Sequence, residues 1–240
     1  MKKYCGILLS ALMLVACGTT KSLPSSQSAS TTYKIGDPYN QNGVKGIVVK
    51  VDASGKHGLI MSLEASTAKW INDARVQFET NAFYESDGIK NMEAIASYIA
   101  SGKATWDDFP IMKWARSLGE GWYIPSKDEA LEIWININGG KNGYTFSRFS
   151  KNDFQKFDAQ QRSYGGAPLV DDRFYIGNNQ PYYWYTSTEG DGGSVYSIQF
   201  GNDFKSQLTV GFGDSKFTPI LTNKRPPITA LWKSRAIHRF

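Results

Sequence analysis

The sequence predicts an α+β fold, with helices gathered in the middle of the chain and strands on either side. Three observations carry this. Apolar residues recur at helical spacing in Met92, Ile95, Ala96 and Ile99, then in Trp114, Ala115 and Leu118, then in Leu131, Trp134 and Ile135. Runs rich in β-branched and aromatic residues, bounded by turn formers, mark strands at 47–51, 58–63, 182–187, 194–200 and 234–240. The two kinds of element do not alternate, which argues against βαβ units.

The chain opens on a targeting segment, residues 1–17. Lys2 and Lys3 form a basic start, Ile7 to Val15 is apolar but too short to span a bilayer, and Leu14-Val15-Ala16-Cys17 resembles the lipobox that directs lipid attachment to the cysteine. Cys17 is therefore the expected lipidation site and membrane anchor. Cys5 leaves with the leader, so the mature chain carries no thiol, which excludes disulfides, cysteine nucleophiles and thiolate metal sites. The formal net charge of +5, less Lys2 and Lys3, leaves +3 with signs interspersed, which is no nucleic-acid footprint. Residues 18–32 are rich in Ser and Thr and read as a flexible tether. No acidic run follows Gly18, which leaves the periplasmic and outward faces of the envelope both open.

Residues 33–240 have the length of one domain. The strands at 47–51 and 58–63 flank a turn-rich loop and predict a hairpin. A short helix around Trp70 is expected over residues 65–72. The helix through Met92 to Ile99 ends at Gly102, and that of residues 109–118 ends at Gly119. In Gly121 to Trp134, Trp122-Tyr123-Ile124 suit an extended segment and Pro125 ends it. Ser126 with Glu129 then forms a capping box that starts the next helix. Residues 138–177, polar and Gly-rich with dispersed Phe, read as a long irregular span. Residues 204–217 suggest a further hairpin.

The stretch GWYIPSKDEALEIW resembles the signature of a bacterial family known as the major paralogous or Lcl C-terminal domain family. DGIKNMEAIASYIASGK before it, YWYTSTEGDGGSVYSIQF after it and the closing SRAIHRF resemble the family's other blocks, in the same order. The resemblance implies a C-type-lectin-like fold, akin to formylglycine-generating enzymes, in which an N-terminal strand pairs near the C-terminal one. It implies a binding class without naming a ligand. The oxidative chemistry of formylglycine-generating enzymes uses a cysteine pair that this chain lacks.

Chemistry-bearing residues are sparse. The two histidines, His57 and His238, lie at opposite ends of the chain, with no G-x-S-x-G element. No motif marks the carboxylate pair of a glycoside hydrolase. Glu189 and Asp191 in a Gly-rich loop, with Asn202 and Asp203 a strand later, offer oxygen ligands of the kind Ca²⁺ takes. Gly201-Asn202-Asp203 is similar to the W-N-D element of lectin domains but lacks its Trp, and no E-P-N or Q-P-D triplet occurs. In the resembling family the Glu of S-T-E instead has a structural role, accepting backbone N–H bonds.

The aromatic loops are the stronger lead. Tyr164, Tyr175, Tyr183 and Tyr185 sit among Gly, Asn, Gln and Asp, the composition of recognition loops, with Trp184 assigned to the core and its neighbours outward. The expectation is a lipid-anchored, non-catalytic envelope protein that recognises a glycan or a partner protein through loops between residues 142 and 213. An accessory subunit of a surface complex or pilus is the alternative, followed by a carboxylate-based hydrolase.

Overall fold

The computed structural model describes residues 32–72, 79–139, 151–169, 182–190, 194–200 and 232–240. In chain order they form β1 (Pro38–Gln41), β2 (Val44–Val51), β3 (Gly58–Met61), β4 (Ser66–Ala68), α1 (Gly88–Ala100), a 3-10 turn (Trp106–Asp108), α2 (Pro110–Ser117), α3 (Lys127–Ile137), α4 (Lys151–Ser163), β5 (Tyr182–Gly190), β6 (Ser194–Phe200), β7 (Trp232–Ser234) and β8 (Ile237–Arg239). Strands, then helices, then strands: the chain is α+β.

Two four-stranded sheets result, ordered β1-β2-β3-β8 and β4-β7-β5-β6. The expected hairpin is β2 with β3. Its register shifts between Val48 and Lys50. Ile47, Val48 and Val49 are buried in succession, as are Leu59, Ile60 and Met61 opposite, because both faces of the sheet are covered here. The Val49 carbonyl accepts a bond from Asn136 Nδ2 of α3 at 3.0 Å. β3 also pairs with β8, so the two ends of the described chain meet, and Tyr33, Tyr39 and Phe240 pack there with ring centroids 4.9–5.3 Å apart.

The structure corrects several expectations. Residues 66–68 form a strand against β7, not part of a helix, because pairing with Ser234, Lys233 and Trp232 outweighs weak local propensity. Trp70 is buried just beyond and donates to the Thr186 carbonyl at 2.9 Å. Residues 151–163, within the expected irregular span, form α4. Its buried face is Phe154, Phe157, Asp158 and Gln161, at helical spacing but half polar. The expected strand at 234–240 is two strands in different sheets, parted by Arg235 and Ala236. Trp122 to Ile124 contribute a single bridge, Tyr123 to Ile237. Residues 204–217 lie outside the described residues.

The capping box is present as read. Ser126 Oγ accepts from Glu129 N, and Glu129 Oε2 accepts from Ser126 N at 2.9 Å. That same oxygen accepts from Gly88 N at 3.0 Å, the first residue of α1, while Oε1 takes Tyr123 Oη–H at 3.0 Å and Arg239 Nη2 at 3.4 Å. One buried carboxylate thus fixes the starts of two helices, the extended segment between them and β8. A Cβ at Gly88 would lie 2.6 Å from the Ile124 carbonyl oxygen and 2.8 Å from Glu129 Oε2, so only glycine lets α1 begin this close. Burial, then the neighbouring Glu129, pushes the Tyr123 phenol well above its ordinary value.

Candidate functional site

β5 carries the Y-W-x-x-S-T-E block, and its middle is not a regular strand. Its pairing with β6 shifts between Tyr185 and Glu189, so Thr186, Ser187 and Thr188 bulge opposite Tyr196. Thr186 Oγ1 donates to the Tyr196 carbonyl at 2.9 Å. The displaced backbone bonds elsewhere: Ser187 N donates to the Pro125 carbonyl, and Glu189 N to the Ala82 carbonyl, both at 2.8 Å. The bulge turns this segment toward the loop that precedes α1.

That loop, residues 79–87, is held from behind by buried polar groups. Glu189 Oε2 accepts from Thr80 N at 2.9 Å and from Thr80 Oγ1 at 2.7 Å. Asn91 of α1 accepts from Tyr84 N at 2.8 Å through Oδ1 and donates to the Tyr84 carbonyl at 2.7 Å through Nδ2. The Nδ2 group also reaches Ser187 Oγ and Thr188 Oγ1, and Thr188 Oγ1 donates to the Tyr84 carbonyl at 3.2 Å. The Glu85 carbonyl accepts from Asp128 N at 2.9 Å. Asn91, Thr80, Ser187, Thr188 and Glu189 are all buried. A buried polar network of this kind, satisfied but for Glu189 Oε1, holds the loop in one conformation.

The loop shows two large aromatic side chains to solvent, among polar neighbours. Phe83 is 46% exposed and Tyr84 48%, although their flanking backbone is anchored. Lys90 Nζ lies 5.5 Å from the Tyr84 ring centroid, a cation–π contact. Next to them Lys127 forms an ion pair with Glu85 and stands 5.0 Å over the half-buried Tyr196 ring.

The residues expected to form the site divide into three groups. Glu189 is structural: burial pushes its carboxyl above the usual range, the Thr80 bonds draw it back, and Oε1 has no hydrogen-bond partner among the described residues. Tyr185 is corrected from outward to buried, at 1% exposure, because the strand is covered on both faces there, so that Trp184 and Tyr185 are buried alike. Burial raises its phenol pKa well above the ordinary value. Tyr164 is half-buried at the C-terminal end of α4, packed against the core. Tyr183 pairs with Gln199 on β6. Tyr175, Asp191, Asn202 and Asp203 lie outside the described residues. Among the described residues no group of three or more His, Cys, Asp or Glu is placed to hold a metal ion. The structure instead assembles Phe83, Tyr84, Lys90, Lys127 and Tyr196, none of which the sequence singles out.

The two histidines differ in setting. His57 is exposed in the β2–β3 loop, whereas the His238 ring packs on Trp122 with centroids 5.4 Å apart. No helix among the described residues is long and apolar enough to cross a membrane. Comparison with protein-family models, curated proteins and solved structures finds no match to the chain.

Proposed function

We propose that the chain is a lipid-anchored envelope protein whose domain recognises a ligand without transforming it. The observation that carries this reading is the pairing of Phe83 and Tyr84 with the buried network behind them: two large aromatic rings held in water on a backbone fixed at Thr80, Ala82, Tyr84, Glu85 and Gly88. Rigid aromatic side chains on a preorganised loop give contact area at little entropic cost, which is the economy of recognition surfaces. The pairing of β3 with β8 supports a C-type-lectin-like arrangement, in keeping with the resemblance of the four sequence blocks. Anchoring rests on Cys17 and its lipobox-like context.

Two experiments test this. Replacing Cys17 by Ser should move the protein from the membrane fraction to the soluble fraction of the envelope. The full-length protein in detergent should retain a ligand from a broad glycan array or a specific envelope protein, assayed with Ca²⁺ and then with a chelator. Retention of neither overturns the recognition reading. Binding lost on chelation returns Glu189, Asp191, Asn202 and Asp203 to consideration as ligands.

A further inference from the structure

We infer that Phe83 and Tyr84 form a saccharide subsite, taking the ring face of an uncharged sugar within a neutral glycan. The inference rests on the recognition reading and names the ligand class of the same loop.

Size is the first argument. Side chains of this kind present roughly 150–250 Å² each when fully open. At 46% and 48% exposure, Phe83 and Tyr84 together offer at most ~140–235 Å² of accessible surface. A specific protein interface covers about 800 Å² on each partner. The aromatic patch is a small part of that area, and its extent suits a ring-sized ligand.

Charge is the second. Glu85 is neutralised by Lys127, and Asp87 pairs with Arg239 at 3.0 Å. Lys90 keeps its charge beside the Tyr84 ring. Among the described residues the carboxylates of Glu79, Glu85, Asp87 and Asp128 stand against Lys90, Lys127 and Arg239, so no basic patch is presented and a polyanion has no electrostatic reason to settle here. The aromatic faces can pack on the apolar C–H face of a pyranose, and exposed Asn81, Glu85, Ser86 and Lys90 offer donors and acceptors for hydroxyls around such a ring.

Preorganisation is the third. A single sugar ring supplies little binding energy, so a loop that had to order on binding would leave none to measure. Here the ordering is already done by Asn91, Thr188 and Glu189. Asn81, the non-glycine residue in the loop with positive φ (61°), sits between two anchored residues, Thr80 and Ala82.

The test uses full-length protein in detergent micelles and saturation-transfer NMR with four neutral hexasaccharides (gluco-, manno-, galacto- and chito-series) and one acidic series, oligogalacturonate. Phe83→Ala, Tyr84→Ala and Tyr84→Phe are compared with the native chain, with thermal unfolding as a check on folding. The expected result is weak binding of at least one neutral series. It should fall about tenfold or more in each Ala variant, the step of a contact that matters, and persist in Tyr84→Phe. Unfolding midpoints should stay close to native, since both rings are half in water. Neutral binding unaffected by either Ala change overturns the subsite and leaves recognition standing elsewhere on the protein. Binding of the acidic series alone overturns the neutral class. No saccharide binding, with a photo-crosslinker at position 83 capturing one protein in intact envelopes, overturns the saccharide class and preserves recognition. Failure of every arm removes both readings.

Discussion

Removing the Glu129 carboxylate tests the largest structural claim. In Glu129→Ala, the backbone N–H groups of Gly88 and Ser126 lose their acceptor at 3.0 and 2.9 Å, in a place with little access for water. Each such orphan costs about 1–3 kcal/mol. Tyr123 Oη still accepts from Arg239 Nε at 3.2 Å, but its own O–H loses Glu129 Oε1 as acceptor, which adds to the cost. The two N–H groups alone sum to about 2–6 kcal/mol, a large fraction of the roughly 5–15 kcal/mol a domain has. For a chain of this size, that corresponds to a fall in unfolding temperature of roughly 4–24 °C. Glu129→Gln retains an acceptor for the two N–H groups and loses the charge facing Arg239, so it should fall well short of the alanine effect. Glu132, on the same helix and paired with Lys50 at 2.6 Å, is the control. Both side chains are about two-fifths exposed, and Glu132→Ala should cost under about 0.5 kcal/mol. The assay is urea unfolding followed by near-UV circular dichroism, with thermal melts in parallel. If Glu129→Ala and Glu132→Ala cost the same, the carboxylate is not the joint described.

Other substitutions probe separate features. Gly88→Ala, favourable at an ordinary helix position, should destabilise the protein here, because its Cβ would meet the Ile124 carbonyl oxygen at 2.6 Å; a raised melting temperature would refute the close approach. Arg235 is buried and donates to the carbonyls of Ser62, Leu63, Glu64 and Ala167, its pKa lowered to about 10 by burial, so it stays charged at neutral pH. Arg235→Lys cannot span those acceptors with one ammonium, and hydrogen exchange should lose protection at Ala167 N, which donates to the Leu63 carbonyl at 2.7 Å. Burial raises the Glu189 pKa above its unfolded value, so the folded state holds the proton to higher pH. The stabilisation from that proton is full below the unfolded value of about 4.3 and is lost as pH rises through the folded one. Urea midpoints should therefore fall from mild acid toward neutrality, and Glu189→Gln should flatten that slope; an unchanged slope would show that Glu189 does not titrate this way.

What could be read in the sequence was what is local in it. The capping box of α3 needs only Ser126 and Glu129, three residues apart, and both bonds are present. The further partners of the same carboxylate, Gly88 and Arg239, stand 41 and 110 residues away and leave no local trace. α4 escaped because Asp158 and Gln161 occupy half of its buried face, so a count of apolar residues falls short. Asp158 is buried because it accepts from Leu169 N and Arg162 Nε, contacts settled only on folding. Tyr185 was misplaced because alternation predicts exposure only when one face of a strand meets solvent, and here both are covered. Phe83 and Tyr84 were missed for the converse reason. An aromatic pair before a helix cap looks like core unless one knows that Asn91, Ser187 and Thr188 already fill the space behind it.

The pairing of residues 232–240 has a kinetic meaning. β7 joins β4 and β5 in one sheet, β8 joins β3 in the other, and Ile237 bridges Tyr123 beside the Glu129 hub. Contacts of such sequence separation are the slow ones to form. While the chain emerges from a ribosome or a membrane pore, β3 lacks its outer neighbour, β4 and β5 lack the strand that joins them, and Arg239 is missing from the carboxylate it meets. Folding is therefore deferred until these nine residues arrive, and their arrival closes both sheets at once. A chain stopped at residue 231 would keep the Glu129 link between α1 and α3 but leave β3 without β8 and β4 and β5 without β7.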